Sequence, residues 1–153
     1  ATASGNLMAV LTLSQAGAAL LLPYLSRKQR DRRIWVGFTL ILQLIGFSGL
    51  AFFADALPYL WAITVGAGLG GCFALLMIVV LDHLPDPTHA GQLSALMQGG
   101  GFLLAAIAPW WVAVLHDMTG TYAAGWIWHL CMVVIVIVLM IRLNPQHYEK
   151  AMA

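Results

Sequence analysis

Five apolar runs constrain this chain more than any other feature. They lie at about 6–25, 34–53, 58–81, 91–115 and 124–142. Each is near the roughly 20 residues a helix needs to cross the hydrocarbon of a bilayer. They are too long and too continuous for barrel strands, so the expected fold is all-α. Composition agrees: 61% of the 153 residues are hydrophobic and 8% charged, with a mean hydropathy of +0.88. A soluble domain carries about 25% charged residues and could not cover its surface with so few. The sequence therefore predicts a polytopic membrane protein of five transmembrane helices. Residues 1–153 form a single membrane domain with the lipid bilayer as its partner.

Charge then sets the direction of each span. Arg27 to Arg33 reads R-K-Q-R-D-R-R and holds five of the seven Lys and Arg residues; Arg142 and Lys150 are the others. Short loops rich in Lys and Arg stay in the cytoplasm. With this loop inside, 54–57 is outside, 82–90 inside, 116–123 outside and the tail inside. All seven basic residues then share one side, which predicts a cytoplasmic C-terminus and an N-terminus outside. That N-terminus, A-T-A-S-G-N, lacks Met, and the chain reads as a piece of something longer, with at least one span before it. The net charge of +1 is segregated rather than large, so nucleic acid is not an expected partner.

The spans differ in character. Spans two and five are bulky and apolar all round, as expected of helices that face lipid. Spans one, three and four carry the small and polar residues expected of packed, cavity-lining helices. In span three, G-A-G-L-G-G runs from Gly66 to Gly71. Gly66 and Gly70 form a GxxxG with Gly71 one step round, a flat face for close helix approach. The same letters fit a dinucleotide fingerprint, but that needs a preceding strand and a βαβ unit, which an apolar run of this length excludes.

In span one, Met8, Thr12, Gln15 and Ala19 share a face. In span four, Ser94, Gln98, Gly101, Ala105 and Ala108 do the same. A buried amide needs a partner. Gln15 and Gln98, with Thr12 and Ser94, therefore either bond neighbouring helices or line a polar path for a small-molecule solute. Pro109 should kink span four by removing a backbone bond to Ala105.

No site for chemistry emerges. Cys72 and Cys131 both fall in apolar runs and read as small apolar residues, not as a disulfide. The loop D-H-L-P-D-P-T-H holds Asp82, His83, Asp86 and His89, but two prolines break any ligand spacing. It reads as a turn with Asp86 as N-cap and Pro87 at the first helical position. His129, with Trp126 and Trp128, reads as part of an interfacial belt. No Asp, Glu, Lys or Arg lies deep in a span, and no nucleophile–base pair appears. No metal, cofactor or enzymatic activity is expected.

These residues resemble a known family. Gly17, Pro23, Leu25, Arg27, Arg32 and Arg33 resemble the loop motif G-x-x-x-D-R-x-G-R-R of major facilitator superfamily transporters, found there between helices two and three and again between eight and nine. Ser26 stands where the motif has Asp, and its second Gly has no counterpart, which leaves the family's Asp-mediated locking contact open. The run from Ala108 to Gly120, ending D-M-T-G, resembles the close of helix eleven, and Gly66–Gly71 resembles the Gly-rich helix ten. Together they resemble helices eight to twelve, most similar to the cyanate and 2-nitroimidazole permease group. The resemblance implies part of the C-terminal half of a permease in the inner membrane, working by alternating access, with the N-terminal half of the same protein as partner. Gly101, like Gly66, Gly70 and Gly71, is expected on a helix-packing face, and the resemblance implies that spans one and four border the central cavity. The other reading is a small five-span subunit with a structural or oligomerising role.

Overall fold

A computed structural model describes residues 2–29, 31–84 and 86–141. Five helices account for nearly all of them: α1 (Thr2–Ser26), α2 (Arg33–Phe52), α3 (Pro58–His83), α4 (Pro87–Thr119) and α5 (Ala123–Met140). No strand occurs among the described residues. All five helices are long and apolar enough to cross a membrane, which makes this a multi-pass membrane protein. Arg142 and Lys150 lie outside the described residues.

Local chemistry sets the helix ends. α3 begins on a proline, whose fixed φ and missing N–H suit the first turn. Asp86 caps α4, its carboxylate accepting from the Thr88 N–H at 3.0 Å, with Pro87 next in line as the sequence predicts. α4 stops at Gly120, which takes the left-handed φ of 73° and donates its N–H to the His116 carbonyl at 2.7 Å. Between these signals α4 runs 33 residues, longer at both ends than its apolar run. Pro109 sits inside it without ending it.

α3 is the centre of the bundle, with α1 on one flank and α2 on the other. Its glycines make this possible. A Cβ on Gly66 would overlap the Leu11 carbonyl and the Ser14 hydroxyl of α1, and one on Gly70 would overlap the Gln15 carbonyl. Towards α2, a Cβ on Gly68 would lie 2.8 Å from the Thr39 carbonyl oxygen. Lipid tails are as apolar as leucine, so such close backbone approach, with the dispersion it brings, is what holds membrane helices together.

α2 is more covered than its composition predicts. It lies between α3 and α5 and buries Val36, Thr39, Leu40, Gln43, Gly46, Phe47 and Gly49. Its exposed residues are the stripe Ile34, Phe38, Ile41 and Ile45 and, at its end, Phe52. The reason is Gln43: its amide donates to the Gly68 carbonyl at 3.2 Å, which an outward-facing side chain could not do. α5 keeps its lipid-facing character, with Ile135, Val138 and Leu139 exposed, and turns Val133 inward. α1 and α4 are the least covered helices; along the apolar window of α4 no residue is buried. These are two of the helices whose small and polar residues predict close packing; α1 packs on α3 along one seam and is otherwise exposed, while α4 is exposed along most of its length.

Candidate functional site

Gln98 lies on α4 where it faces α3. With Phe73, Met77, Met97, Gly101, Phe102 and Ala105 it lines a cavity of about 280 Å³. Its amide is the one polar side chain in that wall, which otherwise consists of two aromatic rings, two thioethers and small residues. Ser94 is half-buried one turn earlier on the same face. A Cβ at Gly101 would meet no atom within 4 Å, so in this chain the glycine opens the cavity and brings no helix close.

Gln15 is placed differently. It is half-buried on the seam between α1 and α3, where its carbonyl and side chain abut Gly70. Thr12, one turn earlier, is exposed and donates its hydroxyl to the Met8 carbonyl at 2.8 Å. The cavity that Gln98 lines takes no residue from α1. The two amides thus stand on different flanks of α3.

A second cavity of about 440 Å³ opens between α4 and α5, lined by Pro109, Val112, Tyr122, Trp126 and His129 among others. His129 takes part in the packing here. Its ring is 5.2 Å from that of Phe47, and its Nδ1–H donates to the Gly125 carbonyl at 2.8 Å.

The loop between α1 and α2 is a third candidate. Arg32 is its keystone: Nε lies 2.7 Å from Asp82 Oδ2 at the end of α3, and Nη1 donates to both the carbonyl and the hydroxyl of Ser26 at 3.1 Å. Ser26 is fully buried, and Arg32 is 12% exposed against 39% for Asp82. The serine that replaces the motif's aspartate therefore still receives the arginine, as a neutral acceptor. Arg33 pairs with Asp31 at 2.6 Å, and this hydrogen-bonded guanidinium holds the Asp31 carboxyl below its usual range. Arg27 stacks over the Tyr24 ring at 4.1 Å. The Arg32–Asp82 pair joins residues 50 apart, and nothing in the local sequence of either one marks the other.

Among the described residues no group of three or more His, Cys, Asp or Glu side chains could hold a metal ion. In the 82–90 loop, Asp82 turns to Arg32, while Asp86 caps α4 and binds the His89 Nδ1 at 2.7 Å.

Comparison with known proteins places this arrangement. The chain is 43% identical over 147 residues to the cyanate transport protein CynX of Escherichia coli (strain K12). That match covers 96% of this chain and 38% of the relative, so the chain spans well under half the length of the curated proteins it matches. It is 29% identical over 120 residues to a 2-nitroimidazole transporter of the same organism, covering 78% of this chain and 30% of that protein. An uncharacterized transporter of Bacillus subtilis (strain 168), YycB, is 28% identical over the same length and covers the same shares. No solved structure matches the chain. A model of the Major Facilitator Superfamily matches residues 1–151, which is all but the last two residues, and the chain belongs to that superfamily.

Proposed function

We propose that this chain supplies helices eight to twelve of a twelve-helix permease that moves a small polar or anionic solute across the inner membrane by alternating access. One observation carries the reading: α4 buries no residue along its apolar window, so the helix that carries Ser94 and Gln98 is left uncovered beyond its cavity with α3, and α1 is likewise exposed outside its seam with α3. Those are the faces that a facing half of the same permease would complete, with the solute at the midplane between halves. Similarity to transporters named for cyanate and for 2-nitroimidazole, each longer than this chain, supports it. In this reading the Arg27–Arg33 loop is cytoplasmic, and so is the C-terminus.

Within that path Gln98 is the residue that contacts solute, with Ser94 beside it and Thr12 and Gln15 on the other open helix. A neutral amide offers two donors and an acceptor without the cost of a buried charge. The aromatic and thioether wall around it favours solutes that are compact and weakly hydrated. Uptake of labelled cyanate and 2-nitroimidazole by cells expressing the intact gene product tests this. Gln98→Leu should weaken apparent affinity for the transported solute roughly three- to tenfold, the worth of one lost hydrogen bond, at an unchanged melting temperature. Unchanged kinetics, or a stability loss with unchanged affinity, refutes the assignment.

A further inference from the structure

The α1–α2 loop holds more positive charge than its internal bonds consume, and that surplus converges on one concavity. A cavity of about 320 Å³ is lined by Arg27, Lys28, Gln29, Arg32 and Asp82. Asp82 neutralises Arg32. Asp31, which pairs with Arg33, lies outside the lining. Among the described residues, that leaves Arg27 and Lys28 in the wall with no carboxylate paired to them. Gln29 adds to them: its Oε1 accepts from the Trp35 indole N–H at 2.6 Å, so its NH₂ remains as a donor. The wall is thus rich in donors and carries two net positive charges.

Position identifies the occupant. The loop joins two helices that each have the length and hydropathy of a membrane span, so it stands at headgroup depth. Tyr24 is 58% exposed in the last turn of α1. Such aromatic rings mark the membrane interface. The geometry points to a binding site for a phosphodiester oxyanion, the headgroup of an anionic phospholipid, held by Arg27, Lys28 and the Gln29 amide beside the fixed Arg32–Asp82 pair. A loop serving only to orient the chain needs basic residues but no shared geometry. Here Arg32 is pinned at both ends, and Arg27 is held by cation–π contact with Tyr24. Fixed guanidinium groups suit phosphate oxygens, and a basic pocket at a helix junction is a recognised way to hold lipid headgroups.

The test is native mass spectrometry of the intact gene product released from nanodiscs of equal parts phosphatidylcholine and phosphatidylglycerol. The wild type should retain phosphatidylglycerol in preference to phosphatidylcholine. Arg27→Gln and Lys28→Gln should each lower that preference roughly fivefold, the usual worth of one basic residue at an anionic surface, and Lys28→Arg should keep it. Both target residues are exposed, and their variants should melt at the wild-type temperature. Arg33→Gln removes the same charge from the same loop but lies outside the lining, and it should leave the preference unchanged. An equal fall in Arg33→Gln would show diffuse attraction and overturn the site. Displacement of the lipid by glycerol 3-phosphate in solution would show a soluble phosphoester site and overturn the lipid assignment. Equal retention of both lipids by the wild type would overturn the proposal outright.

Discussion

Adding one methyl group at Gly70 should drive α1 and α3 apart. A Cβ there overlaps the Gln15 carbonyl oxygen and lies 2.7 Å from its carbon, where ordinary contact begins at 3.4 Å. The obstacle is backbone, so no rotamer change relieves it. Relief takes a separation of at least about 0.7 Å, and a gap of that size forfeits roughly a quarter to a half of each dispersion contact it opens. The cost of such overpacking is about 1–3 kcal/mol, against a helix-propensity gain of up to about 1 kcal/mol from replacing glycine. Gly101→Ala is the matched control, since its new methyl meets nothing within 4 Å and collects the propensity gain alone. The propensity gain is common to both, so the two variants should differ by the overpacking cost of about 1–3 kcal/mol, or roughly 2–12 °C in melting temperature. Melting of both in one detergent, followed by size-exclusion of the folded fraction, measures this. A Gly70→Ala protein that melts at or above Gly101→Ala would refute the packing argument.

Three further outcomes are expected. A cysteine placed at position 29 of a variant lacking Cys72 and Cys131 should be protected from an impermeant maleimide in intact cells, while one at position 119 should react; the reverse pattern would invert the proposed topology. Arg32→Gln should lower the melting temperature more than Asp82→Asn does, because the arginine also serves the buried Ser26 while the half-exposed carboxylate serves one partner; equal losses would show that the ion pair alone matters. The Asp31 carboxyl is held below its usual range, so its small stabilising effect is present above about pH 4 and fades as pH falls through the lowered value. Asp31→Asn should therefore lower the melting temperature at neutral pH and make little difference in strong acid.

The helices were legible in the sequence because crossing hydrocarbon demands a length and an apolarity that few residues can disguise. The start of α4 was legible as well, since Asp86 followed by Pro87 is a local chemical signal. Contacts between helices were legible only in part. The spacing of Gly66 and Gly70 indicates a close-packed face but not its partner, and the structure divides the glycine run between α1 and α2. Gln43 carried a clue that composition hid, because one amide in a bulky apolar span must find an acceptor. The bond from Arg32 to Asp82 was out of reach, since both residues look like ordinary loop charges until α3 returns to the start of α2. Gln15 and Gln98 looked equivalent by face and spacing. Their different settings depend on which flank of α3 each helix occupies, and no periodicity within one helix encodes that.

Pro109 divides α4 into two unequal arms. At 1.5 Å per residue, the arm from Pro87 to Pro109 is roughly 33 Å long and the arm onward to Thr119 roughly 15 Å. Proline leaves the backbone one bond short, so bending is least costly there. A swing of roughly 10° about that point carries the Pro87 end through roughly 6 Å and the Thr119 end through less than half of that. Gln98 lies midway along the long arm, so the same swing displaces its amide by roughly 3 Å, about the length of one hydrogen bond.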